Sequence, residues 1–173
     1  MHTYSYQLPL AKGTTKQILI LDEFDEPIYS IQRTYKTIFH QFFDLWIGEN
    51  QLLCEYEGSN QKGELLVQCR KQHSFTKRSK TILKMNQEIY FAEIEGFDAI
   101  TPSYTIESSS IKLISKIDFN RQVNFYEKGH VIAKLQLYFS ANKKSKLEIY
   151  ENASIQNPLF YIIFSQMFYF IGE

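Results

Sequence analysis

The amino-acid sequence predicts an all-β domain, a closed antiparallel barrel that surrounds a hydrophobic helix at the C-terminal end of the chain. Three observations support this fold class. Short apolar stretches alternate with turn-forming residues, aromatic residues are abundant, and one apolar segment near the C-terminus has almost no polar side. A chain of 173 residues fits one domain, so we expect residues 1–173 to share one hydrophobic core.

The first strands are predicted from turn signals, which recur roughly every 8 to 14 positions between Ile18 and Tyr150, as in a meander of hairpins. Gly, Asn, Asp and Pro supply the backbone angles that such turns need. The clearest hairpins pair residues 18–21 with 28–33, residues 46–47 with 51–57, and residues 123–126 with 130–139.

Alternation of apolar and polar residues indicates that one face of the sheet is exposed to solvent. Cys54 and Tyr56 are expected to point inward, and they alternate with Glu55 and Glu57, which are expected to point outward. The longest alternating set is Val131, Ala133, Leu135, Leu137 and Phe139. Residues 37–45 and 88–95 alternate poorly, so each is either a short helix or a strand that is buried on both faces.

The C-terminal segment has a different pattern. Asn157 and Pro158 are typical of a helix cap and first helical position. Residues 159–171 are apolar except for Ser165 and Gln166, and a helix that is apolar on all sides must be buried on all sides. The segment is too short to span a bilayer, which needs about 20 such residues. Closing the sheet around this helix also removes the open sheet edges.

Composition restricts the possible partners. Aromatic residues account for 16% of the chain, with 12 Tyr and 14 Phe, which excludes a disordered tail. The 19 basic and 19 acidic residues cancel, whereas a nucleic-acid-binding protein usually carries a net positive charge. We therefore expect no nucleic acid as a partner. Residues 1–12 lack the apolar run of a signal peptide, so we expect a cytoplasmic protein that is not transmembrane.

Three segments carry a resemblance to a known family: the hairpin at 21–31, the stretch at 46–53 that begins Trp46, Ile47, Gly48, and the terminal helix at 158–172. With these features the chain resembles the tubby C-terminal-like superfamily, which includes LURP-one-related proteins and phospholipid scramblases. It is most similar to the short, stand-alone bacterial members. The resemblance implies about twelve antiparallel strands with the helix along the barrel axis.

The resemblance says less about function, because a shared fold does not carry a shared function. Animal tubby domains bind phosphoinositide head groups through basic side chains on the barrel wall, but no Lys or Arg of this chain aligns to that site. Scramblases carry calcium-linked and palmitoylated segments. No acidic calcium loop or cysteine cluster of this chain resembles them.

Few residues suggest chemistry. Cys54 and Cys69 are too few for a disulfide framework and are predicted to be reduced core thiols. Cys69 and His73 have a spacing found in metal sites, but no second pair completes a tetrahedral set. The acidic residues at 22–26 lack the glycine of a calcium loop and are predicted to form a solvated turn. We expect no metal, no cofactor and no catalytic residue.

Two groups of basic residues are the candidate ligand-binding sites. The first contains Arg70, Lys71, Lys77, Arg78 and Lys80, and the second contains Lys143, Lys144 and Lys146. Loops that lie close together would bring such charges into one anion-binding patch, and each charge near an anionic membrane contributes about 1 kcal/mol. The alternative is ordinary loop charge exposed to solvent.

Three classes of function therefore compete. A non-enzymatic module that binds an anionic phospholipid or a similar anion predicts basic loops on one face. A module that binds an unidentified protein predicts an exposed aromatic patch instead. An enzyme predicts a deep polar cleft with clustered titratable groups. The resemblance to the tubby C-terminal-like superfamily favours the first class, at the membrane surface.

Overall fold

Within the residues that the structure describes, twelve strands and two helices follow one another. The structure, a computed structural model, describes residues 1–7, 15–47, 53–72, 80–95, 102–138 and 144–169. The elements are β1 (His2–Tyr6), β2 (Ile18–Leu21), β3 (Pro27–Tyr35), α1 (Ile38–Ile47), β4 (Cys54–Asn60), β5 (Leu65–Gln72), β6 (Lys80–Met85), β7 (Glu88–Ile94), β8 (Ser103–Glu107), β9 (Lys112–Ile117), β10 (Gln122–Glu127), β11 (His130–Gln136), β12 (Ser145–Ile149) and α2 (Pro158–Phe168).

The twelve strands form a closed barrel in which each strand pairs antiparallel with the next along the chain. β1 closes the barrel by pairing with β12, with Tyr6 opposite Ser145 and His2 opposite Ile149. Closure pairs the two strands that would otherwise be edges. The predicted fold class and the strand number implied by the resemblance are both confirmed.

α2 occupies the barrel interior, as the apolar segment predicts. Asn157 caps the helix, since its side-chain oxygen accepts a hydrogen bond from the Leu159 backbone N–H at 3.0 Å. Pro158 takes the first helical position, and every residue from Pro158 to Met167 is buried. The helix contacts strands on several sides of the barrel, namely β3, β4, β5, β6, β11 and β12.

Aromatic rings fill much of the space between α2 and the barrel wall. Phe125 of β10 meets Tyr161 edge-on at a centroid distance of 4.9 Å, and Tyr90 of β7 meets Phe160 at 5.0 Å. Such edge-to-face pairs add about 0.5–1.5 kcal/mol beyond the burial of their area. The Tyr161 hydroxyl donates to the Ile155 carbonyl at 2.7 Å, so this buried phenol has a partner.

The barrel wall approaches α2 closely at Gly58 of β4. A Cβ atom at this position would lie 2.8 Å from Ile163 Cδ1 and 2.9 Å from Leu159 Cδ2. Both distances are shorter than ordinary van der Waals contact. The glycine lets α2 pack against the strand without a shift of the Ile163 and Leu159 side chains.

Tight turns join many of the strands. In the acidic turn at 22–26, one Asp22 carboxylate oxygen accepts hydrogen bonds from the backbone N–H groups of Phe24 and Glu26, each at 2.9 Å. The turn after β10 has φ of 51° at Lys128 and 83° at Gly129. Positive φ at both central residues is typical of the hairpin turn whose twist matches the strands.

Three details of the structure correct or decide predictions that were made from the sequence. Residues 37–45 fall mainly in α1, and this helix continues through Trp46 and Ile47, so the predicted strand at 46–47 is wrong. Residues 88–94 form a strand, β7, with one exposed face. A β-bulge in the pairing of β10 with β11 makes Ile132 a buried residue and leaves Val131 partly exposed.

Truncation after residue 157 is expected to abolish folding, because it leaves the barrel without the helix that fills it. The measurement is cooperative thermal unfolding of residues 1–157 beside the full chain. In the full chain, Phe164→Ala should lower the free energy of unfolding by about 3–5 kcal/mol. Phe119→Ala is the control, since Phe119 is 83% exposed. A soluble truncated chain that melts cooperatively would contradict this role of α2.

Gly58→Ala is expected to destabilise the domain by about 1–3 kcal/mol, because the added methyl group overpacks the interface with α2. Urea unfolding measures the change. Gly63→Ala is unsuitable as a control, since Gly63 has a φ of 79° that alanine adopts with strain. A better control is the double variant Gly58→Ala with Ile163→Val. The second substitution removes the methyl group nearest to the new Cβ and should recover part of the lost free energy of unfolding.

Candidate functional site

The predicted basic residues of β5 point to opposite sides of the barrel wall. Arg70 is exposed on the outside, where its guanidinium lies 4.0 Å from a Glu55 carboxylate oxygen. Lys71 follows the inward alternation of Val67 and Cys69, and burial lowers the pKa of its ammonium group. These neighbours in sequence therefore belong to two different surfaces.

The second predicted group lies at the start of β12. Lys144 forms an ion pair with Asp25, and the Lys146 ammonium lies 2.7 Å from Glu148. Strands β1 to β4 separate β12 from β5 along the shorter way round the barrel. The described lysines of this group are thus remote in the sheet from Arg70 and Lys71.

The remaining predicted residues are described in part or not at all. Lys77, Arg78 and Lys143 lie outside the described residues, and for Lys80 the structure gives only its backbone position at the start of β6. Their assignment to a ligand-binding surface stays a prediction.

A surface that the sequence did not predict is the apolar side of α1. The helix connects β3 to β4, and the Thr37 hydroxyl caps it by accepting the His40 backbone N–H at 3.3 Å. Its large apolar side chains point to solvent, with Trp46 84% and Phe39 80% exposed. We call this set the aromatic face: Ile38, Phe39, Phe42, Phe43 and Trp46.

The polar side of α1 faces the protein. Asp44 is partly buried and accepts the Leu53 backbone N–H at 3.2 Å, and the partly buried His40 has a buried Nδ1. A surface helix normally turns its apolar stripe to the core and its polar side to water. α1 is inverted in this respect. The helical spacing of the apolar residues at 39, 42, 43 and 46 was visible in the sequence, but this spacing does not show which side of the helix faces solvent.

Next to α1, the last inward-facing rows of β3 to β5 carry polar side chains, whereas the rows further along, at Ile31 and Val67, are apolar. Arg33 lies opposite Tyr56, and Tyr35 lies opposite Cys54 in the next inward row. We call Arg33, Tyr35, Cys54, Tyr56 and Lys71 the polar mouth. Burial has the largest effect on the pKa values of Tyr35, Cys54 and Lys71, and the negative charge of Asp44 in α1 raises each of them by a smaller amount. The Asp44 carboxylate therefore lies close to this region.

Arg33 is the most unusual member of the polar mouth, because its side chain is only 7% exposed. Its Nε donates to the Tyr56 hydroxyl at 2.9 Å, and Nη2 donates to the same oxygen. The guanidinium carbon also lies 5.1 Å from the centroid of the Tyr56 ring. No basic residue of this strand was singled out from the sequence, since a lone Arg in an apolar strand gives no motif.

A second basic surface lies on the outside of β9 and β10. Lys112, Lys116 and Lys128 surround Ile114 and Tyr126, which form the floor of an open groove of about 480 Å³. Ile114 and Tyr126 are directly opposite each other in the sheet. The Lys112 ammonium lies 2.5 Å from a Glu107 carboxylate oxygen, so one of the three cations is neutralised.

Other kinds of site are not found within the described ranges. No group of three or more His, Cys, Asp or Glu side chains there is arranged to hold a metal ion. None of the helices in the same ranges has the length and hydrophobicity that crossing a bilayer requires.

Comparison with known proteins identifies a family for the fold. A family model described as Tubby C-terminal like domain matches residues 4–171, which is nearly the whole chain. No curated protein and no solved structure gives a significant match.

The two thiols are expected to be unreactive in the folded protein. Burial raises the pKa of Cys54 to about 12 and raises that of Cys69 as well, so both stay protonated at pH 8. The thiolate is the reactive form, and titration with Ellman's reagent should therefore be slow at pH 8 and complete within minutes in denaturant. The rate in the native state should rise with pH. Fast reaction of either thiol at pH 8, or a disulfide by mass spectrometry, would contradict this expectation.

Proposed function

Because the chain belongs to the Tubby C-terminal like domain family, we propose that it is a non-enzymatic binding module that docks on the surface of an anionic membrane. The docking surface in this proposal is the aromatic face of α1. The observation that carries it is the inversion of this helix, whose apolar side chains face solvent although its polar side is packed on the barrel.

The composition of the aromatic face suits a membrane interface. Trp and Phe are favoured at the boundary between head groups and acyl chains, and helices that lie in this plane bury their apolar side by about 5–10 Å. The ten residues of α1 extend about 15 Å, which allows the helix to lie in the interface and not to span it. Each buried Phe would contribute about 1.5–3 kcal/mol.

The charges around α1 favour an anionic surface. Residues 36–47 and the last three paired rows of β3, β4 and β5 at this end of the barrel carry more cations than carboxylates. The cations are Arg33, Lys36, Arg70 and Lys71, and the carboxylates are Asp44 and Glu55. The excess of two positive charges is modest, so apolar insertion supplies most of the attraction in this proposal.

A protein partner is the second candidate, because the same aromatic face has the composition of an interaction hot spot. Trp is enriched at the centres of protein interfaces, and large exposed apolar patches are rare on monomers that have no partner. The two candidates differ in what covers the face. A membrane requires no complementary surface, whereas a protein partner must present an apolar groove.

Trp46 is the single tryptophan of the chain, so its fluorescence reports directly on the aromatic face. Adding vesicles of phosphatidylcholine with phosphatidylserine should shift the emission to the blue, because the indole leaves water. Phe39→Ser with Phe42→Ser should weaken vesicle binding by about tenfold or more, from the lost burial of two rings. Added salt should weaken binding only partly, since charges contribute the smaller share.

Phe24→Ser is the matched control, because Phe24 is 78% exposed but lies in the turn between β2 and β3, away from α1. This variant should bind vesicles as the wild type does. If the wild-type emission is unchanged by anionic vesicles at low salt, the membrane proposal is wrong. In that case the protein-partner candidate takes its place, and a crosslinked complex that depends on Phe39 would support it.

A further inference from the structure

The charge of Arg33 is not balanced by a carboxylate. The groups that act on its pKa are Tyr56, Cys54 and Tyr35, and none of them carries a negative charge at neutral pH. Its Nε and Nη2 both donate to the Tyr56 hydroxyl oxygen, which is neutral. In the described part of the chain, Arg33 forms no ion pair, although a guanidinium that is more than nine-tenths buried normally has one.

The neighbours of Arg33 add hydrogen-bond donors. The Tyr56 hydroxyl accepts from Arg33 and keeps its own hydrogen available, since burial raises its pKa and holds it neutral. Burial is also the main cause of the raised pKa of Tyr35, and a hydrogen bond to Arg33 opposes that rise, which places the Tyr35 phenol beside the guanidinium. Lys71 is a second cation of the polar mouth. Burial lowers the pKa of its ammonium group, and the Asp44 carboxylate partly opposes that effect.

We propose that the polar mouth is a binding site for a small oxyanion, with Arg33 as its main ligand and phosphate as the representative chemistry. Because Nε and one Nη2 hydrogen of Arg33 are engaged by Tyr56, the other Nη2 hydrogen and Nη1 form the pair of N–H donors that matches two oxygens of a phosphoryl group. The Tyr35 and Tyr56 hydroxyls supply neutral donors on either side. Asp44 offsets one of the two cations, so the bound anion neutralises the other.

The site adds a specific ligand to the proposed membrane function. Only the source of that ligand rests on the membrane function. The phosphoryl group comes from a lipid head group if α1 lies on a bilayer, because α1 connects β3 to β4 at the end of these strands where the polar mouth lies. It comes from solution if the domain binds a soluble phosphate. The chemistry at Arg33 is the same in both cases, and the two sources require separate measurements.

The first measurement uses inorganic phosphate and the full chain. Phosphate should raise the midpoint of thermal unfolding relative to sodium chloride of equal ionic strength, because a ligand of the folded state stabilises it by mass action. Arg33→Gln should weaken binding by about tenfold or more in a calorimetric titration. Lys62→Gln is the matched control, since Lys62 is exposed in the turn between β4 and β5, at the strand end remote from Arg33, and should leave binding unchanged.

If Arg33→Gln does not fold, Lys71→Gln and Tyr35→Phe provide the test, because the first removes a positive charge and the second a hydroxyl donor at the half-buried rim. Each should weaken phosphate binding severalfold while Lys62→Gln does not. Equal binding of phosphate by the wild type, Lys71→Gln and Tyr35→Phe would overturn the proposal.

The second measurement uses vesicles of phosphatidylcholine with phosphatidic acid, whose head group is a phosphate monoester. Binding that depends on Arg33 here, with no response to inorganic phosphate, identifies the lipid as the source. A wild-type protein that responds to neither probe has no oxyanion site. Vesicle binding that needs the aromatic face but is unchanged in Arg33→Gln overturns this proposal alone. An Arg33-dependent response to phosphate without vesicle binding overturns only the membrane function.

Discussion

The need to enclose α2 on every side determines the architecture of this domain. A helix with ten consecutive buried residues cannot lie on a surface, and a flat sheet would cover only one of its sides. A closed sheet of twelve strands covers all of them and also leaves no strand edge unpaired. Local features follow from this arrangement: Gly58 allows the wall to approach the helix, and rings such as Phe125 fill the space elsewhere.

The same enclosure explains which parts of the structure the sequence predicts. The cap at Asn157 and the apolar run after it identify α2 because both signals are local. The inward positions of Cys54 and Tyr56 follow from strict alternation. The strand predicted at 46–47 failed because apolar aromatic residues before a glycine fit a strand as well as a helix, and only the tertiary position of α1 separates the two.

The candidate site was harder to predict, for a physical reason. Arg70 and Lys71 are adjacent in sequence, but alternation in a strand sends one to solvent and the other toward the barrel interior. Arg33 gave no signal because its importance depends on burial and on Tyr56 of the neighbouring strand. Patterns of charge along a chain identify surface patches better than they identify buried cations, since burial is decided by pairing between distant segments.

The order of elements along the chain has a consequence for how the domain is made. α2 follows all twelve strands, and β1 must wait for β12 before the wall can close. During synthesis on the ribosome, the inner faces of the early strands therefore emerge before the helix that will cover them. Contacts between such distant segments form slowly, and exposed apolar strands tend to associate with other chains. The nascent domain should thus depend on chaperones until its final helix has left the exit tunnel.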